Sequence, residues 1–204
     1  MNKNTAVRIL SSFGILAAIA AAAIIGPLGI LVLSSIIIIL MSFEWLRMSR
    51  GATRILGVLW LLIMLASAIA LSTKLWVMLL LLITISATDI GAWFFGGRIK
   101  SSKLWPTVTA NKTWGGHISG MICGTAACVL LGFFMMGEFL PQMIWIGMGV
   151  STLSQYGDLT ESYMKRKFGV KDSSNLIPGH GGFLDRFDGW IYALPLMALI
   201  SKVL

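Results

Sequence analysis

Long apolar runs, broken by short polar connections, set the pattern of this chain. They fall at about residues 9–25, 27–45, 55–72, 75–97, 117–137, 141–160 and 187–203. Each approaches the roughly 20 residues that carry a helix across the hydrocarbon core of a bilayer. The pattern predicts an all-α protein, a polytopic transmembrane helical bundle of about seven spans folded as one domain over residues 1–204. The first run passes through Gly26-Pro27 straight into the second, which reads as a membrane hairpin rather than a cleavable signal peptide. Two stretches interrupt the apolar pattern, residues 98–116 and 158–188, and the chemistry is expected there.

Composition supports the membrane reading. Of the 204 residues, 57% are hydrophobic and 12% charged, about half the charged share of an ordinary soluble domain. The net charge of +8 would suit a nucleic-acid binder, but in a polytopic protein an excess of Lys and Arg marks cytoplasmic loops. No nucleic-acid partner is therefore expected. With the N-terminus in the cytoplasm, fourteen of the 16 basic residues fall on that side and only Lys74 and Lys202 lie outside. Both polar stretches are then cytoplasmic, so a cysteine placed at Ser173 should be labelled only from that face. Cys123 and Cys128 lie five apart in an apolar run and read as packing residues, with no partners for a metal site. No internal repeat of the transporter kind is present.

Five of the eight acidic residues fall in the second polar stretch. If the sixth span continues as helix beyond the membrane, Asp158, Glu161, Ser162 and Lys165 share one stripe by the i, i+3, i+4, i+7 rule. Asp185 and Asp188, three apart at the start of the last span, can point the same way. Carboxylates among Lys and Arg suit a phosphate site, because Mg2+ typically takes one or two carboxylates plus phosphate oxygens. The bland alternative is a solvated basic loop with incidental salt bridges. The run His180-Gly181-Gly182, framed by Pro178 and two aspartates, argues against it, since consecutive glycines cost backbone entropy and suit a tight bend or a close approach. Asp89 lies about two turns inside the fourth span, where an ionised carboxylate costs roughly 2.5–3.5 kcal/mol on insertion scales. It has either a structural ion-pair partner or a function. His117, at the start of a span, reads as a plain interfacial residue.

The stretch Ser162-x-Met164-Lys165-Arg166-x4-Lys171-Asp172-x-Ser174-x2-Ile177-Pro178-x-His180-Gly181-Gly182-Phe183-x-Asp185-Arg186-Phe187-Asp188 resembles the signature of the phosphatidate cytidylyltransferases, the CDP-diacylglycerol synthases. Further parts are similar less tightly: Asp89-x-Gly91-Ala92-Trp93-Phe94-x-Gly96, and Thr109-Ala110-Asn111-Lys112-Thr113-Trp114-Gly115-Gly116. The family usually carries Tyr at Trp93, Pro at Ala110 and Glu at Gly115. Glu44-Trp45 also has a family counterpart, and the resemblance covers roughly residues 40–204.

What the resemblance implies is concrete. CTP and phosphatidic acid would react to give CDP-diacylglycerol and pyrophosphate at the cytoplasmic face of a bacterial inner membrane. Asp158, Asp185 and Asp188 would hold Mg2+, with a second metal ion or a monovalent cation left open. Lys165, Arg166 and Arg186 would join them as catalytic groups, clamping phosphates with Lys171 and Lys112. Asp89, Thr113, Ser162, Asp172, His180, Gly181 and Gly182 would complete the substrate site by hydrogen bonding and positioning. A homodimer is a further option. Three rivals stand beside this reading: a transporter using Asp89, a cytidylyltransferase for another lipid phosphate such as an isoprenoid ether lipid, and a non-catalytic scaffold. If Asp185 binds the metal, Asp185→Asn should cut turnover by orders of magnitude while stability barely changes.

Overall fold

The computed structural model describes residues 3–201, with side chains from Val7 onward; Lys202 lies outside the described residues. The all-α expectation holds. Among the described residues there are seven helices: α1 (Lys3–Ile25), α2 (Pro27–Met48), α3 (Ala52–Leu71), α4 (Leu75–Gly96), α5 (Trp114–Met136), α6 (Gln142–Lys167) and α7 (Trp190–Ile200). Five of them, α1 to α5, are long and apolar enough to cross a membrane. The other two differ from the predicted spans for visible reasons. α6 ends in Asp158, Glu161 and the cationic turn Lys165-Arg166-Lys167, so its apolar part is short. α7 starts at Trp190 and covers 11 residues, because residues up to Gly189 belong to the polar loop. The chain is a helical membrane protein.

The chain divides into two compact units. The first comprises residues 1–75 and 164–188, the second residues 76–163 and 189–204. In the first, Gly26 takes φ 86° and Pro27 opens α2 at its first turn, where a missing N–H costs nothing. This is the hairpin expected at that dipeptide. α2 then lies close on α1: a Cβ at Gly29 would sit 2.5 Å from the Ala22 carbonyl oxygen. α3 packs against α2 around Trp45, whose indole fills the space beside Gly57 and donates from Nε1 to the Arg54 carbonyl at 3.1 Å.

The second unit is built on the small residues of α5. Gly116, Gly120, Gly124, Cys128 and Gly132 are its buried positions, a stripe with a spacing of four that lets backbones approach as in membrane helix pairs. Added side-chain atoms would meet Ala92 and Gly96 of α4 at Gly116, Thr88 of α4 and Ser151 of α6 at Gly124, and Met143 of α6 at Gly132. Within this seam Thr88 Oγ1 donates to Ser151 Oγ at 2.9 Å, so two buried hydroxyls satisfy each other away from water.

The first polar stretch folds differently from the loop expected of it. Residues Lys103–Trp105 (β1) and Thr109–Thr113 (β2) pair antiparallel as a two-stranded hairpin, with Lys103 opposite Thr113. β2 runs directly into α5, and Thr113 caps that helix by accepting from the Gly116 N–H at 3.1 Å. The glycine standing where the resembled family has Glu also has a local cause. A Cβ at Gly115 would lie 2.7 Å from Ile99 Cγ2 and 2.8 Å from Ser101 Oγ, and the Gly115 N–H donates to that same hydroxyl.

Candidate active site

The predicted site residues gather into two clusters, one in each unit. In the second unit, Asp89 from α4, Lys112 and Thr113 from β2, and Asp158 from α6 line one cavity of about 660 Å³. α6 continues unbroken through residue 167, as the helical stripe required. Lys112 Nζ forms an ion pair with Asp158 Oδ2, and Ser162 Oγ stands 3.4 Å from Asp158 Oδ1, one turn away. Asp158 is thus held from both sides yet keeps about a third of its side chain open. Asp89 is exposed toward the same space, which places a second carboxylate beside the lysine. The Thr113 hydroxyl is engaged as the helix cap, so its part in the cavity is to fix the β2–α5 junction.

Sequence reasoning missed other residues of this cavity. Lys103, Asn111 and Gln155 line it too, and among the described residues no partner holds the Lys103 ammonium. His117 lines the cavity as well: its Nδ1 lies 2.9 Å from Gln155 Oε1, and Gln155 Nε2 donates to the His117 carbonyl at 3.2 Å. The signal available was spacing, since His117 follows the Thr113 cap by one turn.

The second cluster is in the first unit and orders the signature loop. Asp185 Oδ1 accepts from Lys165 Nζ at 2.7 Å, while Oδ2 accepts from the Gly182 N–H at 2.7 Å and from Ser173 Oγ at 2.9 Å. The Ser173 N–H donates to the same carboxylate at 3.0 Å. Glu44, at the end of α2 and fully buried, takes the other half of the loop. It accepts from Ser174 Oγ at 2.5 Å, the Phe183 N–H at 2.9 Å and the Leu184 N–H at 2.7 Å. Ser173 Oγ lies 3.1 Å from Glu44 Oε2 as well, so one hydroxyl bridges two carboxylates with a single proton. Gly182 has to be glycine here, because a Cβ would run into Ser173 Oγ and Glu44 Oε1. Gly181 takes φ 86°, a left-handed turn that glycine adopts freely.

Asp185 and Asp188 precede α7 rather than starting a helix, and Asp185 is directed into the loop instead of along a shared face. Its side chain is 7% exposed and does structural duty, so Asp185→Asn carries a folding cost that the spacing alone does not reveal. Arg186 Nε donates to the His180 carbonyl at 2.9 Å, which ties that guanidinium to the turn. Arg166, Lys171 and Asp172 are exposed and belong to neither cluster; among the described residues Arg166 reaches only the Val170 carbonyl, at 3.4 Å. Among the described residues no group of three or more His, Cys, Asp or Glu side chains stands together as a ready metal cage. The donor chemistry nevertheless suits a cation. Asp158 and Asp185 each hold a lysine ammonium, and Asp158 and Asp89 could offer carboxylates to a divalent cation.

A scaffold of helices long enough to cross a membrane, carrying lysine-paired carboxylates, defines a class: polytopic membrane proteins with a charged polar site. Residues 52–204 match the model of the Cytidylyltransferase family, three quarters of the chain, and the chain belongs to that family. The resemblance read from its motifs is borne out at this level. It is similar to the phosphatidate cytidylyltransferase of Staphylococcus aureus (strain COL), 44% identical over 117 residues that cover 55% of this chain and 44% of the relative. The proteins of the same name from Staphylococcus haemolyticus and Staphylococcus epidermidis are each 42% identical, with the same coverage. The match thus spans less than half the length of these relatives.

Proposed function

We propose that this chain transfers the cytidylyl group of CTP to phosphatidic acid, giving CDP-diacylglycerol and pyrophosphate. The observation that carries the reading is the cavity where Lys112, Asp158 and Asp89 converge, inside a region that matches the Cytidylyltransferase family. The relatives' names supply the substrate pair. A transporter would need Asp89 along a polar path; its place beside a lysine-paired carboxylate favours phosphate chemistry instead.

In the reaction a phosphate oxygen of the lipid attacks the α-phosphorus of CTP. The bond from that phosphorus to its bridging oxygen breaks, and pyrophosphate leaves with the electron pair. Both reactants are anions, so their approach is opposed by a repulsion that grows as water is excluded. Lys112 meets this charge from the cavity wall, and exchange of its Asp158 partner for a phosphate oxygen preserves a charge-assisted hydrogen bond. Lys103, on the neighbouring strand, offers a second ammonium, and His117 and Gln155 fix the floor. Asp158 and Asp89 would hold Mg2+ on the cavity side, and Asp185 and Asp188 are the carboxylates of the loop assigned to the same role. When bound, Mg2+ supplies charge neutralisation for the triphosphate and the departing pyrophosphate. Lys165 and Arg186 fix the loop that carries these groups, and Arg166 and Lys171 add positive charge along it. The distribution of basic residues assigns the N-terminus and both polar stretches to the cytoplasmic side, and the bacterial source of the relatives supports a bacterial inner membrane.

The test uses purified chain with CTP, Mg2+ and phosphatidic acid, with lipid product and pyrophosphate measured. Formation of CDP-diacylglycerol that EDTA abolishes supports the proposal. Turnover confined to a different lipid phosphate would keep the chemistry and replace the substrate, and solute transport without nucleotide turnover would refute it.

A further inference from the structure

The turn Pro178-Gly179-His180 is held by α1, a helix that lies outside the family-matched residues 52–204. Arg8 Nε donates to the Gly179 carbonyl at 3.0 Å. Ser11 Oγ lies 3.1 Å from the Pro178 carbonyl and 2.8 Å from His180 Nδ1, and Ser12 Oγ lies 3.4 Å from His180 Nε2. The proton count resolves this network. Ser11 Oγ is surrounded by carbonyl oxygens, those of Val7 at 2.9 Å, Arg8 at 3.1 Å and Pro178, and its one hydrogen goes to one of them. With the proton on Nδ1, His180 donates to Ser11 and Nε2 accepts from Ser12. Both ring nitrogens of His180 are then spent on α1, and the His180 carbonyl is taken by Arg186. In this arrangement the His180 side chain pegs the turn to a neighbouring helix.

The fit on the other side is equally close. Gly179 has φ 77°, and a Cβ there would lie 3.0 Å from Arg8 Cγ, so α1 packs against the bare backbone of the turn. The turn in turn sets the loop: the Ile177 N–H donates to the Gly181 carbonyl at 2.8 Å and the His180 N–H to the Ile177 carbonyl at 2.9 Å, directly before Gly182 meets Asp185 and Glu44. A shift of the turn is passed to Asp185 through two residues of backbone.

We infer that Arg8, Ser11 and Ser12 are positioning residues of the reaction, a clamp by which α1 fixes the Pro178–Gly182 turn and, through it, the Asp185 carboxylate. The catalytic part of this inference rests on the proposed cytidylyl transfer; the structural part does not.

Two measurements separate them. In the full-length chain, hydrogen exchange is followed at the His180 and Gly182 amides and at amides of α4 and α5, alongside kcat and KM for CTP. Ser11→Ala with Ser12→Ala should speed exchange at His180 and Gly182 by about two- to tenfold, the scale of one neutral hydrogen bond, with α4 and α5 unchanged. In the same variant kcat should fall about tenfold or more while KM changes little, and Ser11→Thr, which keeps the hydroxyl, should restore both. Unchanged exchange and kcat in the double variant would overturn the clamp, as would exchange that rises equally in every helix, which signals general destabilisation. If the wild-type chain makes no CDP-lipid, the proposed function fails, and the exchange measurement still decides whether α1 holds the turn.

Discussion

Replacing Glu44 by Gln is the most direct test of how the signature loop is held. Glu44 is fully buried and its two oxygens accept from Ser173, Ser174, Phe183 and Leu184. A glutamine keeps the volume but offers one accepting oxygen and one NH2 group. If the oxygen serves Ser174 and Phe183, the amide faces the Leu184 N–H, donor against donor, and a buried N–H loses its partner. That costs about 1–3 kcal/mol, and the loss of charge on the remaining bonds adds about 1 kcal/mol. Ser173 escapes because its hydroxyl can turn wholly to Asp185, 2.9 Å away. The sum, about 2–4 kcal/mol, lowers Tm by roughly 5–15 °C for a chain of this size. Thermal unfolding in detergent, followed by dye binding, reads the shift directly, and Glu44→Asp should fall short as well because it cannot reach all four donors. A Glu44→Gln protein with wild-type Tm and wild-type exchange at the Phe183 and Leu184 amides would show that the loop is held by something else.

The Lys112–Asp158 pair should act as a unit in catalysis: Lys112→Met and Asp158→Asn each cut turnover by about 100-fold or more, and the double variant loses far less than the product. Strict additivity in steady-state rates would place the two residues in separate roles. Asp185→Asn should lose activity and also melt several degrees lower, because Lys165, Ser173 and Gly182 all lose an ionised acceptor; an unshifted Tm would mean that the carboxylate does not order the loop. For topology, Ser173 is a poor reporter because it is buried, whereas Asp172 is exposed. A cysteine at Asp172, in a chain lacking Cys123 and Cys128, should react with an impermeant maleimide only from the cytoplasmic side, and labelling of intact cells would reverse the orientation.

The helices were largely legible because lipid-crossing runs announce themselves: every apolar run corresponds to a helix, and the Gly26-Pro27 turn and the extension of α6 through Lys165 follow from local chemistry. The β1–β2 hairpin was not, since Lys103–Trp105 is too short for alternation to register against the turn-rich residues around it. The cavity was half legible. Asp89 and Asp158 stand out as charges within or beside an apolar run and Lys112 through the motif it belongs to, while Gln155 and Asn111 are uncharged and gain meaning only from their neighbours. Glu44 could be seen as part of a similar stretch, but its role depends on partners 129 to 140 positions away, and no local pattern reports such a pairing. The same distance hid the true setting of Asp185, whose spacing from Asp188 suggested a helix face that a turn occupies instead.

The small-residue seam of α5 bears on how this molecule can change over time. Where the helices touch at Gly116, Gly120 and Gly124, no methyl group can be added to one helix unless its neighbour gives ground, so a substitution there calls for a matching change on α4 or α6. Asp89 and Asp158 ride on two of those helices. The spacing between the two carboxylates is therefore set by the absence of side chains on a third helix, and a change at its glycines would move both without touching a polar residue.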